Sequence, residues 1–145
     1  MLEVKQLYKS FGSLKAVDDV SFTIREGEIM GMIGQNGAGK TTTFRLILDF
    51  LTADSGAVLW NGKPLTKDDY NVIGYLPEER GLYPRVSIEE QLIYFAQLRG
   101  MSKNDVKGKI DYWMDKFQVK GKKTDKVKTL SKGNQQKVQL ISTLL

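Results

Sequence analysis

Near the start of the chain, apolar and polar positions alternate. Val20, Phe22 and Ile24 interleave with Asp19, Ser21 and Thr23, the period of a half-buried strand, and Glu26-Gly27 supplies a turn. Residues 29–33 then form an unbroken apolar run, which predicts a strand buried on both faces. A glycine-rich stretch from Gly34 to Gly39 ends it, and 40–51 reads as a helix. Phe44, Leu46, Ile47, Leu48, Phe50 and Leu51 lie nearly all round that helix, so it is expected to be deeply buried. Asp54-Ser55-Gly56 predicts a turn, 57–60 a short strand, Asn61-Gly62 a hairpin, and 72–76 a further strand stopped by Pro77.

From about residue 87 the period becomes helical. Ser87 with Glu90 three residues on reads as a capping box. Ile88, Leu92, Phe95, Ala96 and Leu98 follow, and Gly100 marks the stop. Ser102 and Asp105 mark a second start, with Val106, Ile110, Trp113, Met114 and Phe117 along one helical face. After a loop at Gly121-Lys122-Lys123, a last helix is predicted beyond Ser131 with Val138, Ile141 and Leu145 on one side. The layout is an α/β chain: a mixed β region, a strand-loop-helix core and a helical part. Only two of its strands look like buried parallel core strands, fewer than a doubly wound sheet needs.

Composition narrows the chemistry. The 145 residues contain no Cys and no His, which removes disulfides, thiolate and imidazole metal ligands, and Ser-His or Cys-His nucleophile pairs. Lys, Asp, Glu, Thr and backbone amides are left. No apolar stretch approaches the ~20 residues of a membrane span, and the first residues show no secretory h-region. A soluble, intracellular chain is expected. The net charge of +5 is unevenly placed: residues 103–137 hold eleven Lys against four Asp, +7, and the remainder carries −2. Such a segment suits a solvated helix surface, an anionic membrane or nucleic acid.

The most specific signal is Gly34-Gln35-Asn36-Gly37-Ala38-Gly39-Lys40-Thr41-Thr42, a full G-x-x-x-x-G-K-[ST] motif after an apolar run and before a helix. Gly37 and Gly39 let the backbone curl so that its N–H groups face phosphate oxygens. The helix start adds orphan amides and a positive dipole end. Lys40 reaches the β and γ phosphates, Thr41 offers a hydroxyl to Mg²⁺, and Thr42 can donate near the α phosphate. A nucleoside triphosphate with Mg²⁺ is the expected ligand.

With that loop, Leu130-Ser131-Lys132-Gly133-Asn134-Gln135-Gln136 resembles the signature motif of the ATP-binding cassette (ABC) family, usually Leu-Ser-Gly-Gly-Gln. Lys132 stands for its first Gly and Asn134 for its Gln; Ser131 and Gly133 match. Phe11 matches the family's adenine-stacking aromatic, and 75–84 looks like its Q-loop, with Glu78 in place of Gln. A carboxylate there can ligate Mg²⁺ but cannot donate as an amide does. The loops 78–83 and 130–136 look most like ATP-binding subunits of ABC-2 type exporters, including sodium-extrusion subunits.

The resemblance implies a P-loop NTPase fold: an antiparallel β subdomain, a RecA-like core and a helical subdomain. One truncated domain is expected over 1–145, with 1–78 the β subdomain and P-loop core, 79–135 the helical subdomain and 131–145 the signature helix. The strand with the Mg²⁺-binding Asp, the adjacent Glu, the D-loop and a switch His have no counterparts here. The chain therefore reads as the N-terminal part of a longer subunit, holding ATP contacts without the hydrolytic set. The apolar-then-acid runs 46–49 and 72–79 are read as the P-loop helix and the Q-loop.

In the family, two cassettes pack head to tail, so ATP on Phe11, Lys40 and Thr41 of one meets Ser131 and Gly133 of the other. The Q-loop and the helix at 87–99 are expected to face a membrane-spanning permease, Ile88 and Tyr83 included, on the cytoplasmic side of the membrane. The other readings are a soluble ABC ATPase acting on nucleic acid or ribosomes, a P-loop kinase or GTPase, and a binding-only module. Nucleic acid is disfavoured because no aromatic platform is interleaved with the lysines. No Asn-Lys-x-Asp guanine motif occurs.

Overall fold

The computed structural model describes residues 1–66, 68–78 and 81–145, and all of Asn71 but its side chain. Glu79 and Arg80 of the expected Q-loop lie outside that set. The chain forms two compact units, Met1–Val72 and Ile73–Leu145.

The first unit is a four-stranded antiparallel sheet with one helix. Strands β1 (Leu2–Phe11), β2 (Leu14–Ile24), β3 (Ser55–Trp60) and β4 (Lys63–Pro64) run in the order β2-β1-β3-β4, with β3 and β4 joined by the Asn61-Gly62 turn. Two bulges set the inward face. Opposite β1, the pairing passes from Val4↔Phe22 to Leu7↔Val20 and then to Lys9↔Val17. One extra residue therefore lies on β1 and one on β2. Gln6 and Asp19, within those steps, have φ of 44° and 52°. Val4 and Leu7, three apart, would face opposite sides of a regular strand; the bulge buries both.

Gln6 also pushes its carbonyl toward β3, where a Cβ on Gly56 (φ +93°) would lie 2.2 Å from that oxygen. Glycine is required there by contact as well as by φ. Helix α1 (Lys40–Ile47) covers the sheet, with Leu46 and Ile47 joining Val4, Leu7 and Val17 in the core.

The second unit packs α2 (Ile88–Leu98), α3 (Lys103–Lys116) and α4 (Lys132–Leu144) around Ile88, Leu92, Ala96, Val106, Ile110, Val138 and Ile141, all fully buried. The predicted starts are met. Ser87 and Glu90 form a reciprocal capping box, Ser102 accepts from the Asp105 amide, and Ser131 from the Asn134 amide. Hydrogen bonding by the Ser87 side chain holds the Glu90 carboxyl below its ordinary range.

Three helix ends share one closure. After α2, Gly100 is left-handed while the Met101 amide donates to Ala96 O and the Gly100 amide to Gln97 O, a Schellman motif. The same bonds close α1 with Asp49 (φ 56°) and α3 with Gln118 (φ 50°) in glycine's place.

Four expectations are corrected. Residues 29–33 form no strand, and Ile29 and Ile33 are 100% and 97% exposed. Residues 72–76 form none either: Asp69–Val72 is a single 3-10 turn, and Val72 and Leu76 are exposed. A parallel strand needs hydrogen-bonding neighbours as well as an apolar pattern, and among the described residues the sheet is wholly antiparallel. The helix read over 40–51 stops at Ile47, and Phe44 and Phe50 are exposed rather than buried. Ile88 lies at the centre of the helical core and therefore cannot contact a partner.

Two substitutions test this reading. Gln118→Gly removes a left-handed strain and is expected to raise stability by about 1 kcal/mol in chemical denaturation. Gly56→Ala is expected to lower it by about 2 kcal/mol or more, since strain and collision act together.

Candidate nucleotide-binding site

The loop 34–39 is shaped by two left-handed glycines, Gly37 at φ 84° and Gly39 at φ 83°. Gly39 answers two demands. It is the N-cap of α1, and a Cβ on it would lie 2.0 Å from the Ala16 carbonyl oxygen on β2. No other residue fits that place without moving a strand.

Helix α1 begins without the usual compensation. Its cap has no side chain and no acid occupies its first turn. The first intrahelical donor is the Thr43 amide, bonded to Gly39 O at 2.8 Å. The amides of Lys40, Thr41 and Thr42 precede it and have no carbonyl four residues back within the helix. They lie at the positive end of the helix, where an anion is favoured. Lys40 folds back over the loop and donates from Nζ to Gly34 O at 2.6 Å and Gln35 O at 2.7 Å. An ammonium on neutral carbonyls has exchangeable partners, and a phosphate offers stronger, charge-assisted ones.

The three threonines divide the work. Thr43 is buried and its hydroxyl donates to Gly39 O at 3.0 Å, bracing the loop. Thr41 is exposed and Thr42 half-buried, so both remain reachable by a ligand. Among the described residues no cluster of three acids exists to cage a metal. The exposed Thr41 hydroxyl is an oxygen of the kind that Mg²⁺ takes when it keeps much of its hydration.

Phe11 ends β1 and is 50% exposed, with Lys9 Nζ 5.7 Å from its ring centre. It is no core residue. Lys9 is drawn there by Asp54, which accepts from Lys9 Nζ at 2.8 Å and from the Ser10 amide at 2.7 Å. The Lys9 hydrogen bond, then the Ser10 amide, hold the Asp54 carboxyl below its ordinary range.

In the second unit, Leu130 is buried and Ser131, Lys132 and Gly133 are exposed at the start of α4. Among the described residues a Cβ on Gly133 would meet nothing within 4 Å, so none of them demands glycine there. Asn134 is pinned on both sides: its Nδ2 donates to Ser131 Oγ and its Oδ1 accepts from the Lys120 amide, each at 3.2 Å. Glu78 is exposed and lines a cleft of about 600 Å³ with Leu76, Pro77, Gly133, Gln136 and Lys137. Thr41 and Glu78, both expected near Mg²⁺, belong to different units.

Sequence reasoning missed three glutamine amides, two of them, Gln91 and Gln139, buried and Gln135 half-buried. Gln91 Oε1 accepts from the Tyr83 amide at 2.7 Å and its Nε2 donates to Tyr83 O at 2.9 Å. Gln135 Nε2 donates to Leu130 O at 3.0 Å and Gln139 Nε2 to Pro77 O at 3.2 Å. The available signal was a glutamine falling on the apolar face of a helix, as Gln91 and Gln139 do.

Residues 17–145 match the family model described as ABC transporter. An uncharacterized ABC transporter ATP-binding protein of Bacillus subtilis, YhaQ, is 46% identical over the whole chain, which covers 49% of it. The ABC transporter ATP-binding protein NatA of the same organism is 38% identical over 91% of the chain, covering 55% of NatA. The chain thus spans about half the length of these curated relatives. A solved ATP-binding subunit of an ABC transporter superposes with a TM-score of 0.80 at 30% identity, over 98% of this chain and 60% of that one. This chain belongs to the ABC transporter family, as an ATP-binding domain.

Proposed function

We propose that the chain binds MgATP on the loop 34–42 as part of the energy-coupling subunit of an ABC exporter. The observation that carries this is the uncapped start of α1 wrapped by Gly37, Gly39 and Lys40, a concentration of donors and positive charge with no acid in the turn. Lys40 takes the terminal phosphates, the amides of 40–42 the rest, Thr41 the metal, and Phe11 the base. Export, rather than import, rests on the likeness of 78–83 and 130–136 to ABC-2 type subunits.

Hydrolysis belongs to the complete cassette. The 145 residues contain no histidine for a switch, and the exposed Ile29 and Ile33 are the faces that further core strands would cover. In a head-to-tail pair, Ser131 and Gly133 of one cassette would close over ATP held by the other. Glu78 in place of an amide would bring extra negative charge toward Mg²⁺ from the Q-loop.

Docking of the permease falls to an exposed aromatic cluster. Tyr83 and Tyr94 are exposed and meet Phe95 with ring centres at 6.3 Å and 5.5 Å. Gln91 fixes the Tyr83 backbone from the core side. In the assembled transporter, Tyr83→Ala with Tyr94→Ala is expected to reduce transport severalfold while leaving nucleotide affinity unchanged. Unaltered transport by that variant would remove the cluster from the interface.

The nucleotide reading is tested by incubating the chain with γ-labelled MgATP, scoring bound nucleotide and released phosphate, with Lys40→Ala alongside. Binding without turnover is expected, and Lys40→Ala is expected to weaken it about 10- to 100-fold, the worth of a hydrogen bond to a charged group. Lysine-dependent turnover would assign hydrolysis to Glu78 or Glu79 instead. Equal binding by both proteins would remove the loop from the site.

A further inference from the structure

We propose that one flank of α3, carrying Lys109, Tyr112, Trp113 and Lys116, docks on an anionic phospholipid surface. These residues are spaced by three, one and three, so they share a stripe along the helix. The adjoining stripe, Val106, Ile110 and Met114, is buried in the core of the unit, which sets the proposed flank at its outer edge.

The rings form an ordered stack. Trp113 lies on Phe117 with centres 5.7 Å apart and planes at 13°, and Tyr112 meets Trp113 edge-on at 5.3 Å. Phe117 and Trp113 are half-buried against the core, whereas Tyr112 is 57% exposed. Lys116 Nζ sits 5.4 Å from the Tyr112 ring centre and 5.2 Å from that of Trp113, and donates to the Tyr112 hydroxyl at 3.1 Å.

Charge separates this flank from the opposite one. Across the helix, Asp111 is paired with Lys123 at 2.7 Å, so that side neutralises itself. Neither Lys109 nor Lys116 has a carboxylate within ion-pairing distance among the described residues. Asp105, in the first turn, is engaged with Ser102, whose hydroxyl donates to it at 2.6 Å. The stripe therefore carries two lysines, neither of them ion-paired, against the single carboxylate of Asp105 one turn before Lys109, beside amphipathic rings and within a segment of eleven Lys and four Asp.

A lipid surface fits that chemistry better than nucleic acid does. A base needs a bare aromatic face to stack on, and Trp113 already has Phe117 stacked on it and Lys116 over it. Tyr and Trp rings with polar edges suit the headgroup layer, and lysines suit anionic headgroups. Among the described residues no helix is long and apolar enough to cross a membrane, so the contact would be peripheral. The proposal rests on the geometry of α3 and does not require nucleotide at Lys40.

The chain has two tryptophans, so Trp60→Phe leaves Trp113 as the sole reporter. In that background, co-sedimentation is measured with phosphatidylcholine vesicles and with vesicles containing phosphatidylglycerol, at low and high salt. Binding is expected to the anionic vesicles alone, weakened by salt and accompanied by a blue shift of Trp113 emission. Lys109→Glu with Lys116→Glu should cut it at least about tenfold, with the far-ultraviolet circular dichroism unchanged. Lys107→Glu, off the stripe, should change it little. Binding to neither vesicle, equal binding to both, or equal loss in the Lys107→Glu control overturns the proposal. So does tighter, Lys116-dependent binding to a single-stranded RNA probe, which would give the flank to nucleic acid.

Discussion

The close approach of Gly39 to the Ala16 carbonyl is the constraint on which the first unit turns. With a Cβ excluded by a 2.0 Å separation, the backbone of the loop rests directly on β2. That contact fixes where α1 starts, because Gly39 is its cap, and so fixes where Leu46 and Ile47 enter the core beside Val17. The same residue supplies the carbonyl that accepts from both the Thr43 amide and the Thr43 hydroxyl. Loop curvature, helix origin and sheet packing are one solution, and the donor-rich concavity of 34–42 is its outer surface.

The legible parts of this structure are those specified by residues close together in sequence. The caps at Ser87, Ser102 and Ser131, the stop at Gly100 and the Asn61-Gly62 hairpin each need only a few neighbouring residues, and each is met. Gln118 and Asp49 close helices in a left-handed conformation that their types do not advertise, since glycine is the usual signal. The bulges at Gln6 and Asp19 are likewise silent, although Gly56 marks one of them through a contact fifty residues away in sequence. The apolar run 29–33 misleads because its pattern reports what the segment would bury, while strand formation depends on neighbours that pair with it. For the candidate site, the loop and Lys40 were readable from spacing, whereas the contact that shapes them, Ala16 on Gly39, was not.

Side-chain amides hold three irregular segments of the second unit. Gln91 grips the Tyr83 backbone through both donor and acceptor, Gln135 reaches Leu130 O, and Gln139 reaches Pro77 O. A buried amide satisfies otherwise orphaned backbone groups without the desolvation cost of an ion. It also suits segments on the rim of a helical core, where the chain must leave the interior and expose residues such as Tyr83 and Glu78.

This amide logic bears most directly on Ser131. Its oxygen accepts from the Asn134 amide at 3.3 Å and from Asn134 Nδ2 at 3.2 Å, so what the hydroxyl has left to give is its single hydrogen. The serine cap thus accepts from the helix on one side and keeps its hydrogen for a partner beyond it. Asn134 can hold that arrangement because its own oxygen is anchored to the Lys120 amide, and Lys137 Nζ ties the next turn to Gln118 O at 3.0 Å. The end of α3, the loop after it and the first two turns of α4 are therefore braced together. The shorter Asn in the place of the family's usual Gln reaches both partners at once, the geometry that fixes the Ser131 hydroxyl at the head of a helix whose positive end faces outward.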